Sequence, residues 1–156
     1  MAGGDFIDRD QLRRFEQNLA KFVGTKYAIG LNSGYDALHL SLRAAGVGPG
    51  DEVIVPAHTF VATCSAVVHV GATPVLVDVS DDFNIDVAQF QQAIGPRTKA
   101  VIPVHLSGWM CDMPAIIEIA KQHRLVVIED ACQSLGSRIG GRRAGASGLT
   151  GCWSFY

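Results

Sequence analysis

Four short stretches hold side chains suited to chemistry, and each lies beside an apolar run or a helix start. Asn32-Ser33-Gly34-Tyr35-Asp36-Ala37-Leu38 sets an aspartate three residues after a serine, close to a capping box. The same stretch could hold a phosphate, with unpaired N–H groups at a helix start and Gly34 permitting close approach. In Pro56-Ala57-His58-Thr59-Phe60, an aromatic ring stands at the junction of an apolar run and the next helix. Phe60 either packs into a core or offers a flat face to a planar cofactor. Pro103-Val104-His105-Leu106-Ser107-Gly108 carries a single histidine, more often a satisfied structural group than a catalyst. Val126-Val127-Ile128-Glu129-Asp130-Ala131-Cys132-Gln133 ends an apolar run on two acids. Nucleotide hydrolases also place acids there, but their G-x-x-x-x-G-K-[ST] loop is absent, as is the G-x-G-x-x-G of dinucleotide binding.

These stretches need elements to position them, and the chain has enough material for one ordinary domain. It has 156 residues, 48% of them hydrophobic and only 18% charged, with 17 glycines and a net charge of -2. That composition excludes disorder. With 13 basic against 15 acidic residues, it also argues against nucleic acid as a partner. The cysteines at 64, 111, 132 and 152 form no C-x-x-C pair, so neither a zinc site nor a disulfide scaffold is expected. No metal is expected. The first residues lack the pattern of a signal peptide, and no apolar span approaches the ~18 residues of a membrane helix. A cytoplasmic protein with reduced thiols and no membrane contact is expected.

From Asp8 the spacing of Leu12, Phe15, Leu19 and Phe22 predicts an amphipathic helix ending at Gly24. Strands are predicted at Tyr27–Leu31, Glu52–Val55, Thr73–Val77, Ala100–Val104 and Leu125–Ile128. Helical segments are predicted at about 34–45, 60–70, 86–94 and 113–123. Their alternation predicts an α/β fold: a mostly parallel sheet with helices on both faces. Ligands in such sheets sit beyond the carboxyl ends of the strands, where the four stretches fall. The stretch Cys152-Trp153-Ser154-Phe155-Tyr156 is aromatic and strand-like, and reads as a chain that stops partway through a domain.

In their order and spacing the motifs resemble the DegT/StrS (DegT/DnrJ/EryC/StrS) family of pyridoxal-phosphate-dependent sugar aminotransferases. The resemblance runs from about Phe15 to Tyr156. It is carried by Ser33–Leu38, Gly46-Val47-Gly48-Pro49-Gly50-Asp51-Glu52-Val53, Pro56–Thr63, Gly71-Ala72-Thr73-Pro74-Val75, Pro103–Leu106, Glu129–Gln133 and Ser154-Phe155-Tyr156. It implies a type I pyridoxal-phosphate fold, with residues 1–25 an N-terminal helix segment and 26–156 the first part of the large domain. The remainder of that domain and a small C-terminal domain would be absent, as would the Schiff-base lysine, which the family places three residues beyond Tyr156. A chain so cut would be catalytically incomplete and could fail to fold alone.

The resemblance also implies roles. Gly34 and Tyr35 would contact the phosphate of pyridoxal 5'-phosphate through their backbone, and Ser154 through its hydroxyl. Phe60 would stack on the pyridine ring, with Cys132 against the other face. Gln133 would bond the ring oxygen, and Asp130 would pair with the ring nitrogen. A carboxylate beside that nitrogen favours its cationic form, which is the electron sink of the reaction. His105 is expected only to lie near the cofactor. Two positions depart from the family's commoner residues, Tyr35 for Thr and Cys132 for Ala. The implied reaction moves an amino group from an amino acid, glutamate by expectation, to a nucleotide-linked keto-sugar in a homodimer. The Tyr35 and Phe60–Thr63 stretches look like the branch acting on 3-keto-6-deoxyhexoses. A sugar dehydratase of the same fold, with His for the lysine, and a non-catalytic regulatory homologue are the alternatives.

Overall fold

Along the central strands, neighbouring side chains enter two different cores, the period-two signature of a sheet covered on both faces. Val53, Val55, Ala100, Ile102 and Ile128 pack with one set of helices, and Ile54, Val101 and Val127 with the other. The structure is a computed structural model that describes residues 9–155. Within it, α1 spans Arg9–Val23 and α2 Gly34–Ala44, followed by β1 Glu52–Pro56, α3 Val61–His69 and β2 Thr73–Val77. The chain continues through α4 Val87–Gln92, β3 Thr98–Val101, α5 Met113–His123 and β4 Val126–Asp130. A two-residue hairpin, β5 Arg138–Ile139 with β6 Arg142–Arg143, precedes β7 Thr150–Cys152.

The main sheet has the order β2-β1-β3-β4-β7, and every pair in it is parallel. Helices α2 and α3 cover one face through Leu38, Leu42, Ala66 and Val67. Helices α4 and α5 cover the other through Phe90, Met113, Ile116 and Ala120. Strand order reverses between β1 and β3, because β1 leads outward to β2 and the chain then returns to β1's other side. In open α/β sheets such a reversal is where ligands sit, outside the carboxyl ends of the strands.

The four helices from α2 to α5 and strands β1, β2 and β4 form where periodicity predicts them, within two residues at each end. Two of the other strands differ. Residues 27–31 form no strand, and Tyr27 and Ile29 are 70% and 77% exposed. Their backbone turns to α1 instead, where the Glu16 carboxylate accepts the Gly30 N–H at 2.7 Å. β3 stops at Val101 because Pro103 has no N–H to give the ladder. The line of chain nevertheless continues: Asp130 N–H donates to Pro103 O at 2.9 Å, and His105 N–H donates to Asp130 O at 3.0 Å. The predicted helix start at Asp8 and the end of the aromatic stretch at Tyr156 lie outside the described residues.

Leu42 on α2 is fully buried, whereas Leu40, two residues earlier, is half exposed. Leu42→Ala is therefore expected to lower the unfolding free energy by about 2–5 kcal/mol. Leu40→Ala should lower it by less than about 1 kcal/mol. Denaturant titration of the full-length protein checks both.

Candidate functional site

Asp130 is the last residue of β4, at the carboxyl ends of the strands. Its carboxylate is oriented from two sides: Oδ2 accepts the Thr63 hydroxyl at 2.8 Å, and Oδ1 accepts the Cys132 N–H at 3.2 Å. Thr63 sits in the first turn of α3 and, having given its proton to Asp130, accepts from the Thr59 hydroxyl at 2.8 Å. Asp130 and Thr63 are both buried. Each carboxylate oxygen keeps a further lone pair, so the group can still accept a charged N–H, in surroundings of low dielectric.

Three chain segments meet beside it. A Cβ built on Gly34 would stand 2.6 Å from Cys132 Sγ, 3.1 Å from Ser154 Cβ and 3.5 Å from Trp153 O. Only glycine lets the start of α2 approach β4 and the residues after β7 so closely. Ser33 caps α2 by accepting the Asp36 N–H at 3.1 Å. The N–H groups of Gly34 and Tyr35 precede the first intrahelical bond and have no helix partner. The capping and anion-binding readings of this stretch are therefore compatible.

Tyr35 sends its side chain away from this meeting point. Its hydroxyl bonds His69 Nδ1 at 2.6 Å and its ring stacks on His39, tying α2 to α3. What Tyr35 offers the site is backbone. Phe60 immediately precedes α3 in extended conformation, and the residue is 68% exposed, outside either core. Gln133 Oε1 accepts the Ser107 N–H at 2.8 Å, which leaves the amide's NH2 group as its outward donor. Ser107 has φ 53, in the left-handed region.

His105 is buried and fully engaged. Cys111 N–H donates to its Nδ1 at 3.2 Å, so Nε2 carries the ring proton and donates it to Glu129 at 3.0 Å. Glu129 also accepts N–H groups from Gly145, Ser147 and Gly148. Burial alone would raise its carboxyl, but the bond from His105 and these N–H groups outweigh burial and hold it below the ordinary value.

Sequence reasoning missed Thr59, Thr63 and Ser107. The four-residue spacing of two threonines across a helix start was the signal available for the first pair. Among the described residues, no group of three or more His, Cys, Asp or Glu could hold a metal ion, and no helix is long and apolar enough to cross a membrane.

A parallel sheet that gathers a buried acceptor carboxylate, an exposed aromatic ring and a helix start at the carboxyl ends of its strands defines an α/β ligand-binding domain. The chain belongs to the DegT/DnrJ/EryC1/StrS aminotransferase family, whose model matches residues 1–156. It is 51% identical over 152 residues to the UDP-N-acetyl-3-dehydro-alpha-D-glucosamine 3-aminotransferase of Acidithiobacillus ferrooxidans, covering 97% of this chain and 41% of that protein. The crystal structure of DesV from S. venezuelae superposes with a TM-score of 0.91 at 48% identity, covering 94% of this chain and 40% of that one. A Streptococcus pneumoniae structure in its PLP-form gives a TM-score of 0.90 at 37% identity, covering 94% and 41%. The chain thus spans about two fifths of the length of the relatives it matches.

The four cysteines are free thiols, and burial pushes those of Cys111 and Cys152 up to about 12. Burial, then the Asp130 charge, raises that of Cys132 as well. A thiolate is the reactive form. Cys111 and Cys152 in the native full-length protein are therefore expected to resist alkylation at pH 8 and to react once denaturant is added. Mass spectrometry of the alkylated peptides reads this, and labelling of either residue at the rate of a free thiol would contradict it.

Proposed function

We propose that the full protein is a pyridoxal-phosphate-dependent aminotransferase that moves an amino group from an amino acid, glutamate by expectation, to a nucleotide-linked keto-sugar. The single observation that carries this reading is the buried Asp130 carboxylate, held by Thr63 and the Cys132 N–H with acceptor capacity to spare. The similarity to sugar-nucleotide aminotransferases supports the substrate class. A 3-keto-6-deoxyhexose is the finer assignment. Residues 26–156 then make up the first part of the large cofactor domain, behind the helical segment at 1–25. The remaining part, with the Schiff-base lysine, and a small domain lie beyond; the coverage of relatives supports this division. The working form is a homodimer, and the compartment is the cytoplasm, which four unpaired cysteines suit.

The residues fit the cofactor. A cationic pyridine N–H needs a buried acceptor with an open lone pair, which Asp130 supplies. A phosphate needs unpaired N–H groups at a helix start with room for close approach, and Gly34 and Tyr35 supply both. When bound, pyridoxal 5'-phosphate supplies an electron sink for the pair left as the substrate Cα proton departs.

The rest is done by side chains and backbone of this chain. Asp130 holds the proton on the ring nitrogen by charge pairing, and Thr63 and the Cys132 N–H keep its oxygens from rotating away. Burial strengthens that pairing. Phe60 would offer a flat apolar face to one side of the ring, and Cys132 would fill the other. Gln133, its carbonyl engaged by Ser107, would give its NH2 to the ring oxygen. The N–H groups of Gly34 and Tyr35, with the Ser154 hydroxyl, bind the phosphate. His105 has both ring nitrogens occupied and moves no proton.

Asp130→Ala in the full-length enzyme is expected to abolish transamination, a loss of about 10²-fold or more. The assay follows amino transfer from glutamate to a nucleotide-linked keto-sugar. Normal turnover by the variant would sink the role given to Asp130.

A further inference from the structure

Glu129 precedes Asp130 on β4, and the two-residue period of the strand sends its side chain to the opposite face. Its carboxylate is fully buried and saturated. Oε1 accepts the N–H groups of Ser147 at 2.6 Å and Gly148 at 2.7 Å. Oε2 accepts the Gly145 N–H at 2.9 Å and His105 Nε2–H at 3.0 Å. Three of the four donors are backbone groups of one turn, so the turn is an anion-binding nest occupied by the protein's own carboxylate.

The turn lies against β4 as bare backbone. A Cβ at Gly148 would stand 2.5 Å from the Val127 carbonyl oxygen. One at Gly145 would collide with the Trp153 ring, and one at Gly151 with Gly145 itself. The turn leads directly into β7, which pairs with β4 from Thr150 to Cys152. β7 in turn delivers Ser154 to the start of α2, where its Cβ lies 3.1 Å from the place a Gly34 Cβ would occupy.

We propose that Glu129 is a positioning residue for the cofactor phosphate: by filling the Gly145–Gly148 nest it fixes β7, and so holds Ser154 beside the N–H groups of Gly34 and Tyr35. This rests on the cofactor reading above. His105 acts with it as the fourth donor, its ring aligned by the Cys111 N–H. Charge matters as well as shape, because hydrogen bonds to an ionised acceptor are roughly twice as strong as neutral ones. A glutamine here would also turn one acceptor into a donor facing an N–H.

The experiment compares uptake of pyridoxal 5'-phosphate with uptake of pyridoxal, which lacks the phosphate, by full-length wild type, Glu129→Gln and Glu129→Gln/Ser154→Ala. Glu129→Gln is expected to weaken pyridoxal 5'-phosphate about tenfold or more while leaving pyridoxal within about twofold. Adding Ser154→Ala should then cost little further, since both changes act on one contact. A merely structural role would weaken both ligands alike, and that result, or no loss at all, overturns the inference. If Glu129→Gln does not fold, Glu129→Asp keeps the charge with a shorter reach, and the same phosphate-selective loss is required of it. Wild type that takes up neither ligand overturns the cofactor reading and this inference together. Wild type that binds pyridoxal 5'-phosphate, with variants that lose both ligands equally, overturns this inference alone.

Discussion

Asp130 links β3, β7 and α3 through its backbone and its side chain. Its N–H and C=O bridge to Pro103 and His105, which carries the sheet past the end of β3. Its register partner on β7 is Cys152, and the next N–H, from Ala131, donates to the Cys152 carbonyl at 2.8 Å. Its side chain reaches α3 through Thr63, 67 residues away in sequence. The carboxylate is thus held by the same contacts that close the fold around it. A carboxylate fixed in this way needs no reorganisation when charge develops beside it, the condition under which electrostatic stabilisation is largest.

Two adjacent acids on one strand take opposite parts. Glu129 is saturated by four donors on one face, and its carboxyl is held below the ordinary range. Asp130, on the other face, receives one hydroxyl and one N–H and keeps capacity for another partner. Strand geometry separates them: alternate side chains leave the sheet on opposite sides. The first acid is taken up by the turn that leads into β7, and the second keeps acceptor capacity on the side of α3.

Much of this was legible in the chain. Continuous apolar runs bounded by turn residues marked β1, β2 and β4. Three- and four-residue periodicity marked the helices, because burial against a sheet imposes both patterns. Residues 27–31 form a short apolar run like those of the strands, yet the Gly30 N–H bonds to α1, since a ladder partner is a tertiary fact that local pattern does not encode. Pro103 was the visible reason for β3 to end early. The residues of the site were named from motifs, but their supports were not. Thr63 matters only because α3 brings it to Asp130. The glycines from 145 to 151 are explained by contacts with Val127, Trp153 and each other, long-range relations that composition cannot reveal.

The central claim is that Asp130 keeps a pyridine nitrogen protonated. It is tested most directly by the ¹⁵N chemical shift of ring-labelled pyridoxal 5'-phosphate bound to the full-length protein. A pyridinium shift in wild type, moving toward that of neutral pyridine in Asp130→Ala, is the expected result. A neutral pyridine shift in wild type, or a pyridinium shift that survives the loss of Asp130, would contradict the account.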